Sequence, residues 1–274
     1  MNIIFFGNQK LVQGITSNVT TITDALAQAG HKIIAVVTTK AQLSTLPTVI
    51  ASEAKQSSEK PIAILASYGH IIPQHILDLF EPIGILNLHP SLLPHYRGTT
   101  PIETAILNGD TETGISIMKL TPKMDAGPIY AQAPLKISQN DNKFTLAVKL
   151  TTLGTTILID LLPNVVNFTT QLTPQDESQA TYTEKLDKSM SILQPSTKTA
   201  AQLERQIRAH LGFPKSKYTY HDIECTILKA HVDQQSQTPL DLKCTDGNYL
   251  IIDTLQPASR TPMSAADFLR GYTK

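Results

Sequence analysis

The sequence predicts an α/β protein in two parts, a Rossmann-like parallel sheet followed by a small, OB-like β-barrel. Three observations carry this. Two short apolar runs, residues 3–6 and 32–37, flank a helix-periodic stretch, which is the strand, helix, strand opening of a parallel sheet. From Tyr218 onward, four short alternating segments follow one another closely, as in a barrel. Between these halves, from Pro163 to about Ser196, no long period survives and Gln, Thr, Ser, Asp and Pro dominate. The expected boundaries are a catalytic domain over 1–178, a linker over 179–196 and a barrel over 197–274.

Taken in order, Ile3 to Phe6 read as a buried strand ended by Gly7, and Ile22, Ala25, Leu26 and Ala29 recur at helical spacing before Gly30. Residues 32–37 are a second, β-branched strand. Gly7-Asn8-Gln9-Lys10 lacks the G-x-G-x-x-G fingerprint, so no dinucleotide is expected. Residues 38–60 read as a loop or short helix, and 62–66 as a third buried strand. A short helix over 75–80 precedes a strand over 85–88. Thr100-Pro101-Ile102-Glu103 has the cap, the proline and the third-position acid of a helix start. Residues 114–120 alternate as a strand, and 144–162 form a long helix over the sheet. Residues 201–208 are helical. The barrel strands fall at 218–220, 224–230, 240–244 and 249–252, and a helix capped by Ser264 covers 265–270.

Composition bounds the function. The chain has 274 residues, 41% of them hydrophobic, and a formal net charge of zero, so nothing global announces a polyanionic partner. Residues 1–178 carry 11 Lys+Arg and 13 Asp+Glu, against 12 and 10 for residues 179–274. No apolar run approaches the roughly 18 residues of a membrane span, and the amino terminus resembles no signal peptide, so a cytoplasmic protein is expected. Cys225 and Cys244 lack further ligands at metal spacing and read as buried thiols, with no metal site.

The chemistry concentrates in Asn87-Leu88-His89-Pro90-Ser91-Leu92-Leu93-Pro94-His95-Tyr96-Arg97-Gly98. Alternation along the strand points Asn87 and His89 the same way, and Pro90 and Pro94 end the ladder there. An amide and an imidazole at a strand end suit acyl transfer to an amine, the amide donating to an oxyanion and the imidazole moving the proton. They also suit a hydrogen-bonded loop anchor.

That block, together with Thr100-Pro101-Ile102-Glu103, Gly109-Asp110 and Gly114, and Met124-Asp125-Ala126-Gly127-Pro128-Ile129, resembles the 10-formyltetrahydrofolate-dependent formyltransferases. Pro174 to Tyr182, Arg205 to Ala209 and Met263 to Tyr272 are similar to the branch that formylates initiator methionyl-tRNA, and the resemblance spans nearly the whole chain. It implies a catalytic trio of Asn87, His89 and Asp125. Asn87 and a protonated or hydrogen-bonding His89 would stabilise the oxyanion, and Asp125 would orient His89, raise its pKa and take the amine proton through a water. It implies 10-formyltetrahydrofolate as co-substrate, in a pocket walled by Ser91, Leu92, Leu93 and Pro94 and by Tyr68, Gly69, His70, Ile71 and Ile72. His70 is expected to contribute backbone rather than act as a second base. Arg97 and Gly98 are assigned to substrate, although Arg97 serves equally as a clamp on a carboxylate. Initiator methionyl-tRNA and folate are the expected partners of a monomer that meets no membrane, with the barrel gripping the tRNA.

Three departures bear on the acceptor. Family members that formylate tRNA usually carry a longer glycine- and lysine-rich loop after the second strand, whereas residues 38–47 here hold one cation, Lys40. The first turn departs from the usual Gly-Thr-Pro start. The chain has no Trp, and Leu211-Gly212-Phe213-Pro214 stands in for an aromatic, proline-rich turn. A formyltransferase for a small amine, such as a nucleotide-linked amino sugar, would keep the trio with no use for a basic barrel. A non-catalytic tRNA- or folate-binding relative would keep the folds and lose the trio.

Overall fold

A computed structural model of the chain describes residues 1–7, 21–55, 57 and 60–272. Residues 8–10 of the first turn lie outside them, as do Gln56, Ser58 and Glu59 of the polar stretch before Lys60. Two compact units result: residues 1–101, 112–136 and 146–183 in one, residues 102–111, 137–145 and 184–274 in the other.

The strands β1 (Asn2–Gly7), β2 (Lys32–Val37), β3 (Ile62–Ala66), β4 (Ile85–His89), β5 (Glu112–Lys119) and β6 (Ile129–Lys136) form one sheet in the order β2-β1-β3-β4-β5-β6. The first four are parallel, as β-branched apolar runs joined by helices require. β4 to β5 and β5 to β6 are antiparallel, so the sheet is mixed rather than parallel throughout. β6 was not expected from the sequence, because Gln132, Pro134 and Lys136 interrupt its apolar character. As an edge strand it tolerates a proline that a central strand would not. β2 is the opposite edge and is therefore only half-buried, where a buried strand was expected.

Strand alternation builds a core on each face. Ile3, Phe5, Leu86 and Leu88 pack with α1 (Ile22–Gln28) and with Leu158, Leu161 and Val165 of α5 (Lys143–Val166). Ile4, Phe6 and Ile85 face Leu43 and Leu46, the latter opening α2 (Leu46–Ala54), and Ile76, Leu77 and Phe80 in and after α3 (Gln74–Leu77). Thr21 caps α1 in a capping box with Asp24. Lys40 to Thr45 form a 3-10 turn whose Gln42 side chain accepts from the Thr38 and Thr39 amides at 2.7 and 2.9 Å. α5 is long and apolar enough to cross a membrane by length and composition alone, which the sequence reading had excluded. Its apolar stripe is buried in the first core.

In the second unit lie residues 102–108 of α4 (Pro101–Asn108), and α6 (Ala200–His210), whose capping box pairs Thr199 with Gln202. β7 (Ser216–Tyr220), β8 (Ile223–Asp233), β10 (Tyr249–Pro257) and β11 (Met263–Ser264) form an antiparallel ladder, with β9 (Leu242–Lys243) also on β10. Among the described residues this path is open, and its apolar side is covered by Leu203 and Ile207 of α6 and Phe268 of α7 (Ala265–Tyr272). Ser264 accepts the Asp267 amide at 3.1 Å, the expected cap. Cys225 and Cys244 are free and buried, as the sequence indicates.

Gly154 in α5 lets the helix approach the back of β4 and β5. A Cβ there would sit 2.9 Å from Ile115 Cγ1 and 3.3 Å from Leu88 Cδ2. Gly154→Val should therefore cost about 1–3 kcal/mol of stability by overpacking. Chemical denaturation checks this, and an unchanged midpoint would contradict the packing described.

Candidate active site

In an open α/β sheet, ligands bind beyond the carboxyl ends of the parallel strands, and β4 is a central one. Leu88 points into the first core, so Asn87 and His89 point together to the other face, 6% and 4% exposed. β4 ends at His89, before Pro90. Asp125 reaches the same place from the loop after β5. Its Oδ1 lies 3.5 Å from Asn87 Nδ2 and its Oδ2 lies 3.7 Å from His89 Nδ1. The three residues expected to act together are brought together.

His89 Nε2 lies 2.9 Å from the Tyr96 carbonyl oxygen. A carbonyl only accepts, so Nε2 carries a proton and Nδ1 is the nitrogen turned to Asp125. Burial pushes the His89 pKa below its ordinary 6.5, against the upward pull of Asp125 and the Tyr96 carbonyl. The sequence reading had the carboxylate win and raise the pKa. Desolvation of a ring that is almost wholly buried outweighs a carboxylate beyond hydrogen-bond reach. The resting imidazole is neutral, with a lone pair at Nδ1.

Asp125 is held unusually. Its φ is +47°, in the left-handed region that favours glycine, as is that of Tyr96 at +58°. Two contacts fix it. The Gly98 amide donates to Oδ2 at 2.8 Å, and the Gln175 amide donates to the Asp125 and Gly127 carbonyls at 2.8 and 2.7 Å. Gln175 Oε1 in turn accepts from Arg97 Nε and Nη2 at 3.1 and 2.8 Å.

Arg97 is fully buried. Nη1 also donates to Glu177 Oε2 and Tyr182 Oη at 3.1 and 3.3 Å, and Nη2 to Glu177 Oε1 at 3.0 Å. All five N–H groups are engaged, leaving none for an anionic ligand. Of the two roles open to Arg97, the structure takes the clamp, and Gly98 serves to place Asp125. Arg97 and Lys123 hold the Glu177 carboxyl at about 2. Gln175, Glu177 and Tyr182 lie in the stretch that carries the family resemblance, and the sequence marks no site role for them. Their polar stretch gives no periodic signal, and the tie to Arg97 crosses about eighty residues.

The residues expected to wall a folate pocket divide. Ser91 and Leu93 are buried supports: the Ser91 hydroxyl donates to the His95 carbonyl at 2.6 Å, and the Leu93 amide donates to Ser116 Oγ at 3.0 Å. Gln132 donates to the Leu93 carbonyl at 2.8 Å, closing that network. Tyr68 is buried against Phe6 and donates to the Thr39 carbonyl at 3.0 Å. Gly69, His70 and Ile71 are exposed, Ile71 at 88%. Met124, 55% exposed, flanks Asp125. Exposed apolar side chains at this edge fit a flat, apolar co-substrate better than solvent. Among the described residues no cluster of His, Cys, Asp and Glu could hold a metal ion.

The electrostatics can be checked by NMR of the imidazole nitrogens. At pH 7, His89 should be the neutral Nε2–H tautomer. Asp125→Asn should lower its pKa further, because the group that pulls it upward is gone. A rise on that substitution would contradict the balance described.

Residues 49–162 match the formyl transferase family and residues 185–273 its C-terminal domain. The methionyl-tRNA formyltransferase of Chloroflexus aggregans is 35% identical, covering 90% of this chain and 92% of its own. Among solved structures, the methionyl-tRNA formyltransferase of Clostridium thermocellum superposes with a TM-score of 0.64 at 16% identity, covering 94% of this chain and 98% of that one. HypX of Aquifex aeolicus, in complex with tetrahydrofolic acid, superposes at 0.72 and 14% identity. It covers all of this chain, which spans 47% of that structure. The likeness to the relative from Chloroflexus runs through both domains and most of both chains, and by it this chain belongs to the methionyl-tRNA formyltransferase family.

Proposed function

We propose that Asn87, His89 and Asp125 carry the transfer of a formyl group from 10-formyltetrahydrofolate to the α-amino group of methionyl-tRNA of the initiator type. The observation that carries this reading is the convergence of amide, imidazole and carboxylate at the end of β4, with Asp125 3.5 Å from the Asn87 amide and 3.7 Å from the His89 ring. The co-substrate supplies an activated formyl carbon, with Gly69, His70, Ile71, Leu92 and Pro94 as its walls, whereas Ile72 is buried in the core with Phe6 and Ile76. Residues 197–274 are assigned the tRNA grip.

In this reading the roles follow from the resting proton positions. The neutral His89 Nδ1 is free to take the proton that the amine loses on attack, directly or through a water held by Asp125. The imidazolium so formed is stabilised on one side by the Tyr96 carbonyl and on the other by Asp125. Only then does His89 carry an Nδ1–H, which at 3.7 Å from Asp125 is not spent in a hydrogen bond and is the one N–H left to donate toward the carbonyl oxygen of the reacting formyl group. Asn87 is a donor to that oxygen throughout, its weak 3.5 Å contact to Asp125 giving way readily. The new N–C bond to the amine forms as the bond to the folate nitrogen breaks, and the proton passes to that nitrogen.

Purified protein with 10-formyltetrahydrofolate should formylate initiator methionyl-tRNA. Asn87→Ala should lower kcat by about 10²–10³-fold, the usual loss of one oxyanion donor, and Asp125→Ala should abolish turnover, both with unchanged circular dichroism. The assay runs beside an amino-sugar nucleotide. Formylation of the sugar and not of the tRNA would refute the acceptor, and full activity of either variant would refute the site.

Gln175→Leu tests the support beneath Asp125. It removes both amide donors to residues 125 and 127, and should reduce kcat about 10- to 100-fold with little change in KM for folate. Gln175→Glu keeps the acceptor for Arg97 but not the donors, so it should fail as Leu does. Restored activity with Glu would show that only the tie to Arg97 matters.

A further inference from the structure

The second unit holds a cleft of about 280 Å³, near the lower end of small-ligand pockets at roughly 300–1,000 Å³. Its polar wall is Ser189, Gln194, Lys198 and His210, and its apolar wall includes Leu107 and Met190. The formyl-transfer chemistry above uses none of them.

His210, the last residue of α6, is 3% exposed, yet neither ring nitrogen has a hydrogen-bond partner among the described residues. A buried imidazole with both nitrogens unmatched needs an explanation, because buried polar groups are nearly always satisfied. Lys198 stands beside it. Its ammonium donates to Gln206 Oε1 at 2.7 Å, and Gln206, 1% exposed, donates to the Met190 carbonyl at 3.1 Å. The cation is thereby fixed at the cleft by a buried side chain, with no carboxylate against it among the described residues.

The remaining charges nearby are already matched. Lys143 pairs with Glu103 at 3.3 Å. Arg205 Nε donates to the Leu107 carbonyl, and Arg208 pairs with Glu204. Asp187 accepts the Ser189 amide and hydroxyl at 2.6 and 2.5 Å, which spends the Ser189 donor. Gln194 Oε1 accepts from Thr197 at 3.2 Å, while its N–H groups have no partner among the described residues. Burial first, then Lys198 and Lys143, holds the His210 ring at about 4, which leaves it neutral at physiological pH.

We propose that this cleft binds a phosphate group, free or as a monoester, with the Lys198 ammonium, the Gln194 amide and a His210 ring N–H as its donors. Three donors on separate segments suit a tetrahedral anion, and each bond to a dianion is charge-assisted. The room beyond them takes part of whatever carries the phosphate. An anion there also removes the penalty on a charged imidazole, so binding brings a proton onto His210.

The whole protein is titrated with inorganic phosphate, with adenosine 5′-monophosphate and with adenosine, followed by calorimetry and by NMR of the His210 ring. Inorganic phosphate or the monophosphate should bind saturably and shift the ring toward imidazolium near neutral pH, and the tighter of the two identifies the source. Lys198→Met should weaken binding at least tenfold. His210→Gln, which keeps a donor, should bind without the proton uptake. Adenosine binding as tightly as its monophosphate would overturn the anion assignment. So would an undiminished affinity in Lys198→Met, or a His210 ring unmoved by either phosphate.

Discussion

The catalytic edge depends on a buried guanidinium. A charge taken out of water is tolerated only where every donor finds an acceptor, and Arg97 finds five bonds in Gln175, Glu177 and Tyr182. The backbone joins in. The Arg97 amide donates to the Thr181 carbonyl at 2.9 Å and the Thr183 amide to the Arg97 carbonyl at 2.8 Å, so residues 94–100 are laced to residues 173–183. Gln175 passes that order on to Asp125, whose left-handed backbone would cost of order 1–3 kcal/mol if nothing over-determined it. A half-satisfied network around a buried cation is worse than none. The loop after β4, the loop after β5 and the segment after α5 therefore hold together or come apart together.

This rigidity decides the protonation of His89. An imidazole wedged between a carbonyl and a carboxylate in water would gain a proton. Sealed under the loop that Arg97 secures, it loses solvation first, and burial sets the sign. The resting site thus keeps His89 as a neutral acceptor of protons beside Asp125. In the proposed reaction, charge on the imidazole is created only as the amine gives up its proton. That ordering favours the transition state over the ground state, which a pre-formed ion pair would not do.

How much of this was legible follows from the kind of signal each residue leaves. Continuous apolar runs gave β1 and β3, and period-two alternation gave β4 and β5, each within a residue or two; the alternation of Asn87 and His89 placed both on one face before any fold was known. The direction of β5 left no such trace, since apolar alternation does not distinguish a parallel from an antiparallel neighbour. β6 hid behind Pro134. Gln175, Glu177 and Tyr182 sat in a stretch whose lack of period reads as linker, because a segment held by hydrogen bonds rather than by an apolar stripe has no periodicity to show. Arg97 itself was visible, and its fate was not. Whether an arginine meets solvent or a carboxylate eighty residues away is a tertiary fact.

The same accounting bears on the acceptor. A polyanion is held by cations that are free to neutralise phosphate. Around the site they are mostly committed: Arg97 is buried, Lys123 pairs with Glu177 at 2.6 Å and Lys119 with Glu81 at 2.6 Å. The stretch after β2, where a basic arm would stand, is a compact 3-10 turn closed on itself by Gln42, with Lys40 as its cation. Residues 1–178 carry two more acidic than basic side chains, whereas residues 179–274 carry two more basic than acidic. With so few uncommitted cations around the site, the proposed reaction leaves attraction for a charged carrier of the amine to the barrel segment, residues 197–274.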